Sequence, residues 1–554
     1  MKRIKTLIHK VLIVALSLIS ATVIGAQRSD FELVRDTEIL INMMRSLQQY
    51  YVDSLSSDEL LRLASYGISN SLDPYTTYIN EEEMKDFEVM TTGKYGGIGA
   101  IIAQGKEYVT IAEPYKGSPA DKSGLKIGDR IVEIEGEDAK GMTTEQMSSR
   151  LKGTPGSRVK IVVSSVIDSS LRKVTIKRER ISIPAISYYG MLNDSVAYLN
   201  HADFTDGCYD QIRAALDDLK SQGMKSLVLD YRSNGGGIMQ EAIKVLSLFV
   251  PKGSEVLTIK ERSDSTVYRT SNEPPYADLP MVVLINGSSA SATEIVAGAL
   301  QDMDRAVLVG QRSFGKGLVQ STVPVGYNAY VKITTARYYI PSGRCIQAID
   351  YSSHSSDEPR AKMADSLQQE FRTRAGRVVK DGGGIMPDVE MEGRYVSRFA
   401  MRLYSMGLIT KWGEEYYRRH YKEEIDFDNF AITQADYNDF VTLALANDVR
   451  YESQSSLRLK ALEEAAEEDR NEELIAELAR VRELMHDDTQ SHLERYRAEI
   501  EELLNQDVVL RRGYSDGVIR HTLPTDPEVQ CAVEILGDVA RQKEILEGEV
   551  SADK

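Results

Sequence analysis

The sequence is poor in the residues that staple or metallate a fold. Its 554 residues hold three cysteines, seven histidines and a single tryptophan. Cys208, Cys345 and Cys531 lie far apart, and no CxxC pair or Cys/His cluster accompanies them. That spacing argues against a zinc site and a disulfide framework. The cysteines read as packing residues, with one pairing as the alternative. Long apolar runs are scarce too. The longest, Val11 to Ile24, is shorter than the roughly 20 residues a spanning helix needs. Positive charge is in deficit: 67 Lys and Arg against 84 Asp and Glu leave a net charge of −17. An acidic surface repels phosphate backbones, which argues against nucleic-acid binding as the main role.

What is present begins with a basic start, Lys2, Arg3, Lys5 and Lys10. The apolar run, small Gly25-Ala26 and polar Gln27 follow. This pattern predicts a secretory signal peptide over residues 1–26 and an exported protein, periplasmic or in the cell envelope of a bacterium. An uncleaved anchor is the alternative, and only it would bring the chain to a membrane. The rest is ordinary for a globular protein, 42% apolar and 27% charged. The length exceeds one hydrophobic core, so three or four units are expected.

Texture divides the chain. Residues 27–90 read as helical: Leu40, Met43, Met44 and Leu47 recur at helical spacing, and a second helix over Asp58–Leu72 stops at Asp73-Pro74. Residues 91–180 turn to short strands and glycine turns, with a helix over Thr143–Leu151. From 181 to 395 strands and helices alternate, which predicts an α/β layer with a largely parallel sheet. Lys225–Tyr231, Met281–Ile285 and Ala306–Val309 read as its buried strands, and polar residues 352–384 as a surface insertion. Residues 396–554 are helical and charged. Leu459, Leu462, Ala465, Ile475, Leu478, Val481 and Leu484 mark an apolar seam there. The seam suits a helical domain with a solvated face. The alternative is a coiled-coil-like surface for homo-oligomerisation or substrate docking.

Four features carry chemistry. Ser291 falls at a strand-to-helix turn, where its hydroxyl is presented and the unpaired N–H of Ala292 can stabilise an oxyanion. Taken alone, it is a helix cap. The run Gly235-Gly236-Gly237, at another strand end, lets backbone approach a substrate closely; taken alone, it is a tight turn. Lys316 stands between Gly315 and Gly317. A free lysine titrates near roughly 10.4, and burial lowers that value enough for it to accept a serine proton. A phosphate loop is disfavoured because Gly317, not Ser or Thr, follows the lysine. The fourth feature is the loop Gly97-Ile98-Gly99-Ala100 before a strand. Its N–H groups can bind a terminal carboxylate while an extended peptide adds to the strand edge, with Met147 and Leu151 as candidate pocket residues.

Together these features resemble the carboxyl-terminal processing peptidases, also called tail-specific proteases. Gly287-Ser288-Ser289-Ala290-Ser291-Ala292-Thr293-Glu294-Ile295 resembles the family's nucleophile motif, continued by Gln301-Asp302-Met303-Asp304-Arg305-Ala306. Phe314-Gly315-Lys316-Gly317-Leu318-Val319-Gln320 completes it. Asp230 to Gly237 matches the glycine element, and Gly384-Ile385-Met386-Pro387-Asp388-Val389 the closing strand. The resemblance spans roughly residues 35–400. It implies a multidomain α/β fold: a serine-peptidase core of crotonase/ClpP-like layering, an inserted PDZ domain over 91–180, and helical N- and C-terminal regions. It implies Ser291 as nucleophile, Lys316 as general base, Gln320 as the residue orienting the lysine, and Ala292 with Gly235 or Gly236 as oxyanion donors. Asp302 takes a supporting role. The implied partners are proteins or peptides bound by their C-terminal tails; no metal or cofactor is implied. Thr293 departs from the serine of many members, and Tyr231 from a common leucine. The rivals are His201 as base, with Asp203 nearby, an inactive PDZ-bearing scaffold, and a crotonase-like thioester enzyme.

Overall fold

The computed structural model describes residues 31–351, 362–485 and 488–548. The expected signal peptide over 1–26 lies outside them. No helix among the described residues is long and apolar enough to cross a membrane. The chain forms two compact units, the first made of residues up to Met84 with Gln320–Thr334.

In that first unit, α1 covers residues 31–50 and α2 covers Ser57–Leu72. Ser56 caps α2 through the Glu59 N–H at 3.1 Å. Asp73 ends it and turns the chain by accepting the N–H groups of Tyr75 and Thr76, each at 2.8 Å. β1 (Thr77–Ile79) then pairs antiparallel with Tyr330–Lys332. The helical spacing of α1 is present, yet Ile39, Met43 and Leu47 remain exposed. α3 (Glu81–Thr92) follows.

The second unit opens with a β-rich module. Its strands are β2 (Lys94–Gly97), β3 (Ala100–Gln104), β4 (Val109–Pro114), β5 (Arg130–Ile134), β6 (Glu137–Asp138), β7 (Arg158–Ser164), β8 (Leu171–Lys177) and β9 (Glu179–Ser182). An antiparallel sheet runs β3-β4-β5-β7-β8 with β6 on β5, and β2 pairs with β9. Helix α4 (Pro119–Lys122) begins on proline behind the Ser118 cap. Helix α5 (Thr144–Leu151) begins with a reciprocal Thr143–Gln146 box. Val109, Ile111, Ile131, Ile134, Val159 and Ile161 fill the core between them.

The central sheet follows. Between residues 186 and 390 the elements are β10 (Ile186–Met191), β11 (Val196–His201), α6 (Cys208–Ser221), β12 (Ser226–Asp230), α7 (Met239–Leu246), β13 (Glu255–Glu261), β14 (Ser265–Arg269), β15 (Met281–Ile285), α8 (Ala292–Asp302), β16 (Val307–Gly310), β17 (Leu318–Gly326), β18 (Ala329–Tyr339), β19 (Glu370–Arg372), β20 (Val378–Lys380) and β21 (Val389–Glu390), of which β13, β14, β17 and β18 belong to a separate sheet with β1, and β19 and β20 pair with each other. Strand order is β10-β11-β12-β15-β16-β21, parallel except for β10 against β11. The strands read as unbroken apolar runs because both faces are covered. Leu227, Leu229, Met281, Val283 and Ile285 pack on the side of α6, α7 and α8, while Val228, Val282 and Leu284 face the other way. Within the expected insertion, β19 and β20 form a hairpin whose Arg377 pairs with Asp304 at 2.8 Å and Asp388 at 2.5 Å.

The helices are α9 (Arg398–Ser405), α10 (Leu408–His420), α11 (Gln434–Leu445), α12 (Gln454–Glu468), α13 (Glu472–Met485), α14 (Thr489–Arg495), α15 (Arg497–Thr522), α16 (Pro527–Gly537) and α17 (Val539–Glu547). Phe399, Leu403, Trp412, Phe440, Ile500 and Leu504 make their own core. The helical region is not a free-standing block, however. Val529, Ala532, Ile535 and Leu536 of α16 cover the second face of the central sheet. The expected seam is rotated: α12 and α13 meet through Leu459, Ala466 and Leu478, while Leu462, Ala465, Val481 and Leu484 are exposed. Cys208, Cys345 and Cys531 are unpaired thiols.

Candidate active site

Three parallel strand ends gather the predicted residues. β12 feeds Tyr231–Gly237, β15 feeds Asn286–Ser291, and β16 feeds Gln311–Lys316. Register sets Asp230 beside Leu284 and Ile285 beside Gly310, so the three exits lie side by side. Functional groups in such sheets collect at these carboxyl ends.

Ser291 is half-buried and immediately precedes α8. Its φ of 58° and ψ of −117° cost a non-glycine residue about 1–3 kcal/mol. Glu294 holds it there. Glu294 is wholly removed from solvent. Its Oε2 accepts the N–H of Ser291 and the N–H of Lys316, both at 2.9 Å. Its Oε1 accepts the Gly315 N–H at 2.7 Å and the Ser313 hydroxyl at 2.5 Å. One buried carboxylate thus clasps the serine turn to the lysine segment. Burial pushes it up to about 7, against the downward pull of these four donors. Tyr338 adds a second clasp, directing its hydroxyl at the carbonyls of Ser291, at 3.1 Å, and Lys316. Glu294 is absent from the residues expected at the site, although the Ser291-x-x-Glu294 spacing is the signal that marks it.

The glycines around Lys316 have steric causes. A Cβ on Gly315 (φ 88°) would lie 2.4 Å from Ala348 Cβ, and one on Gly317 would lie 2.8 Å from the Gln347 nitrogen. Gln347 Oε1 also accepts the Gly317 N–H at 2.7 Å. Lys316 is half-buried. Gln320 falls in the first compact unit, where its Nε2 donates to Thr334 Oγ1 at 3.3 Å.

The glycine run touches the serine turn. A Cβ on Gly236 (φ 103°) would lie 2.7 Å from Ala290 O, 2.8 Å from Ser291 Cβ and 2.9 Å from Ala292 N. Asn234 fixes the run: its Oδ1 accepts the Gly236 N–H at 2.9 Å and the Thr293 hydroxyl at 2.7 Å. Its carbonyl accepts the Ala290 N–H at 3.0 Å. Thr293 retains the hydroxyl this arrangement uses. Among the described residues no hydrogen bond engages the N–H of Gly235 or of Ala292. Gly235 is exposed, with open space where a Cβ would stand.

Two other residues have structural surroundings. His201 is fully buried against the rings of Phe204 and Tyr231, its Nε2 2.9 Å from the Asp203 carbonyl. Burial pushes it down to about 3, so the ring stays neutral. Asp302 is buried against Arg344 at 2.8 Å and accepts the Ser342 N–H at 2.9 Å.

In the β-rich module, β3 is an edge strand beside α5. The carbonyls of Ile98 and Gly99 are pinned by the N–H groups of Ala120, at 2.8 Å, and Tyr115, at 2.9 Å. Trans peptides then turn the N–H groups of Gly99 and Ala100 away from these two donors. Gly97 is buried at the head of this loop, under the Tyr95 ring. Met147 and Leu151 are buried with Ile98 in the module's core.

Comparison with known proteins joins these parts. The Peptidase family S41 profile matches residues 195–354. The carboxy-terminal-processing protease of Bartonella bacilliformis is 35% identical over 317 residues, covering 56% of this chain and 72% of that protein. The chain belongs to the carboxy-terminal processing proteases. It is therefore a serine peptidase of family S41 with a PDZ domain. The PDZ domain profile matches residues 110–164, and a profile described as the C-terminal helical domain of a probable PDZ-protease matches 399–536. The carboxy-terminal processing protease CtpA of Bacillus subtilis is 31% identical, covering 53% of this chain and 63% of its own length. A solved PDZ domain of a carboxy-terminal protease from Vibrio cholerae, in complex with peptide, is 35% identical. It covers 16% of this chain and 97% of its own, with a TM-score of 0.15.

Proposed function

We propose that this processing protease is exported and works through a Ser291–Lys316 dyad on a core of crotonase/ClpP-like layering. The observation that carries the dyad is the shared Glu294 oxygen, which receives the backbone of nucleophile and base together. Neutral Lys316 takes the Ser291 proton as Oγ attacks the scissile carbonyl carbon. The oxyanion rests on the Ala292 N–H and an N–H of the Gly235-Gly236 turn, each donor worth roughly 3 kcal/mol of barrier. Gly235 is the readier donor, because Asn234 engages Gly236. The C–N bond then breaks, the lysine ammonium protonates the leaving amine, and water hydrolyses the acyl ester.

Substrate tails add to the edge of β3, with their carboxylate at Gly97-Ile98-Gly99-Ala100 and their last side chain toward Met147 and Leu151. Self-association through the helical regions is supported by the exposed apolar residues of α1. Incubating a loosely folded, apolar-tailed protein with wild type, Ser291→Ala and Lys316→Ala tests the dyad. Cleavage by wild type alone is expected, and full activity in either variant would sink the assignment. Export predicts a mature N-terminus near Gln27, read by N-terminal sequencing of the protein from the cell envelope.

A further inference from the structure

Helix α16 carries two carboxylates to the catalytic side of the sheet. Arg232 stands two residues past the Asp230 end of β12 and precedes the glycine run. Its Nη1 donates to Asp526 Oδ2 at 2.8 Å and to Glu528 Oε2 at 2.5 Å. Its Nε and Nη2 bind Asp230 at 3.0 and 2.6 Å. These side chains are largely covered, at 19% exposure for Arg232, 13% for Asp526 and 8% for Glu528. Solvent therefore does little to screen them, unlike a surface pair. Glu528 has a second hold: its Oε1 accepts from Gln311 Nε2 at 3.3 Å. Gln311 is the first residue after β16 and opens the segment that ends in Lys316.

We infer that Asp526 and Glu528 are positioning residues for peptide cleavage. Through Arg232 they fasten the root of the glycine run, and through Gln311 the root of the lysine segment. Between Arg232 and Gly236 the chain holds a strained turn: Ser233 has a φ of 60° with its N–H on Asn286 Oδ1 at 2.9 Å, and Asn234 fixes Gly236. Fastening its root keeps Gly236 pressed on the Ser291 turn. The helical region thereby takes part in shaping the peptidase site as well as covering its sheet. This inference rests on the Ser291–Lys316 reading.

The test uses full-length Asp526→Asn, Glu528→Gln and the double variant. Asn caps a helix about as well as Asp, so α16 keeps its Asp526 cap function while the charge is lost. Three quantities are measured beside thermal unfolding: kcat and KM on a tailed protein, the affinity of a free tail peptide, and inhibition by a peptide aldehyde. The aldehyde adduct places an oxyanion against the same donors. The double variant should lose kcat by about 10- to 100-fold, with aldehyde inhibition weakened in parallel. KM and tail-peptide affinity should stay within about twofold. Unchanged kcat, or a loss that only follows the folded fraction, would overturn the inference while Ser291→Ala remains inactive. Activity retained by Ser291→Ala would overturn the dyad reading and this inference with it.

Discussion

A carboxylate wholly out of water that still accepts four donors stands under opposing pulls, and Glu294 is such a group. Its position near 7 fixes two pH trends of opposite sign. The ionised form receives the Ser291 and Lys316 N–H groups, so kcat should climb as pH rises through about 7. Stability behaves the other way, because a carboxyl raised on folding stabilises the native state below its unfolded value. That contribution is lost as pH rises through about 7. Glu294→Gln should flatten the stability trend and cut kcat at pH 8 by about 10- to 100-fold, the equivalent of one charge-assisted hydrogen bond. A kcat profile across pH 5 to 9 for both proteins checks this. Gly236 gives a steric prediction. Gly236→Ala must displace the Ser291 turn and should abolish turnover, whereas Gly235→Ala meets no atoms. Ser291, Lys316 and the glycines were legible because each breaks a local pattern. Glu294 and Asn234 were not, because a Glu at the third helical position and an Asn in a turn both have ordinary local roles.

The strands were readable as elements because covered faces leave a simple signature. Met281–Ile285 is apolar at every position, and its register places the chemistry at one end. What covers the second face was not readable. α16 lies over two hundred residues beyond β15, and its apolar stripe looks like that of any helix in a bundle. Ile535 has no exposed surface and packs against the sheet. Ile535→Ala should therefore destabilise the protein by about 2–5 kcal/mol, measured by denaturant unfolding. The α12–α13 seam shows the limit of periodicity. A shift of one position, from Ala465 to Ala466, turns the stripe by about 100°, and only the partner helix decides which side is covered.

In the second compact unit, the helical region grips the PDZ module as well as the sheet. Glu414 pairs with Arg130 at 3.2 Å, Arg418 donates to the Val166 carbonyl at 2.6 Å, and Ser515 donates its N–H to Glu113 at 2.9 Å. Such long-range grips leave no mark in a sequence, which is why residues 396–554 read as a helical domain with a solvated face. A held module suits delivery of tails from a fixed place. Amidating the C-terminus of a substrate should then raise KM by about tenfold or more while kcat stays near its original value, as loss of a charge-assisted contact requires. Steady-state kinetics on the paired substrates reads this directly.

The dyad itself is tested most directly by the covalent intermediate. Wild type and Lys316→Ala would be mixed at neutral pH with an activated ester of an apolar-tailed peptide, quenched early and mapped by mass spectrometry. An acyl adduct on Ser291 is expected in wild type, with its near absence in Lys316→Ala. An adduct on another residue, or equal acylation of Ser291 without the lysine, would contradict it.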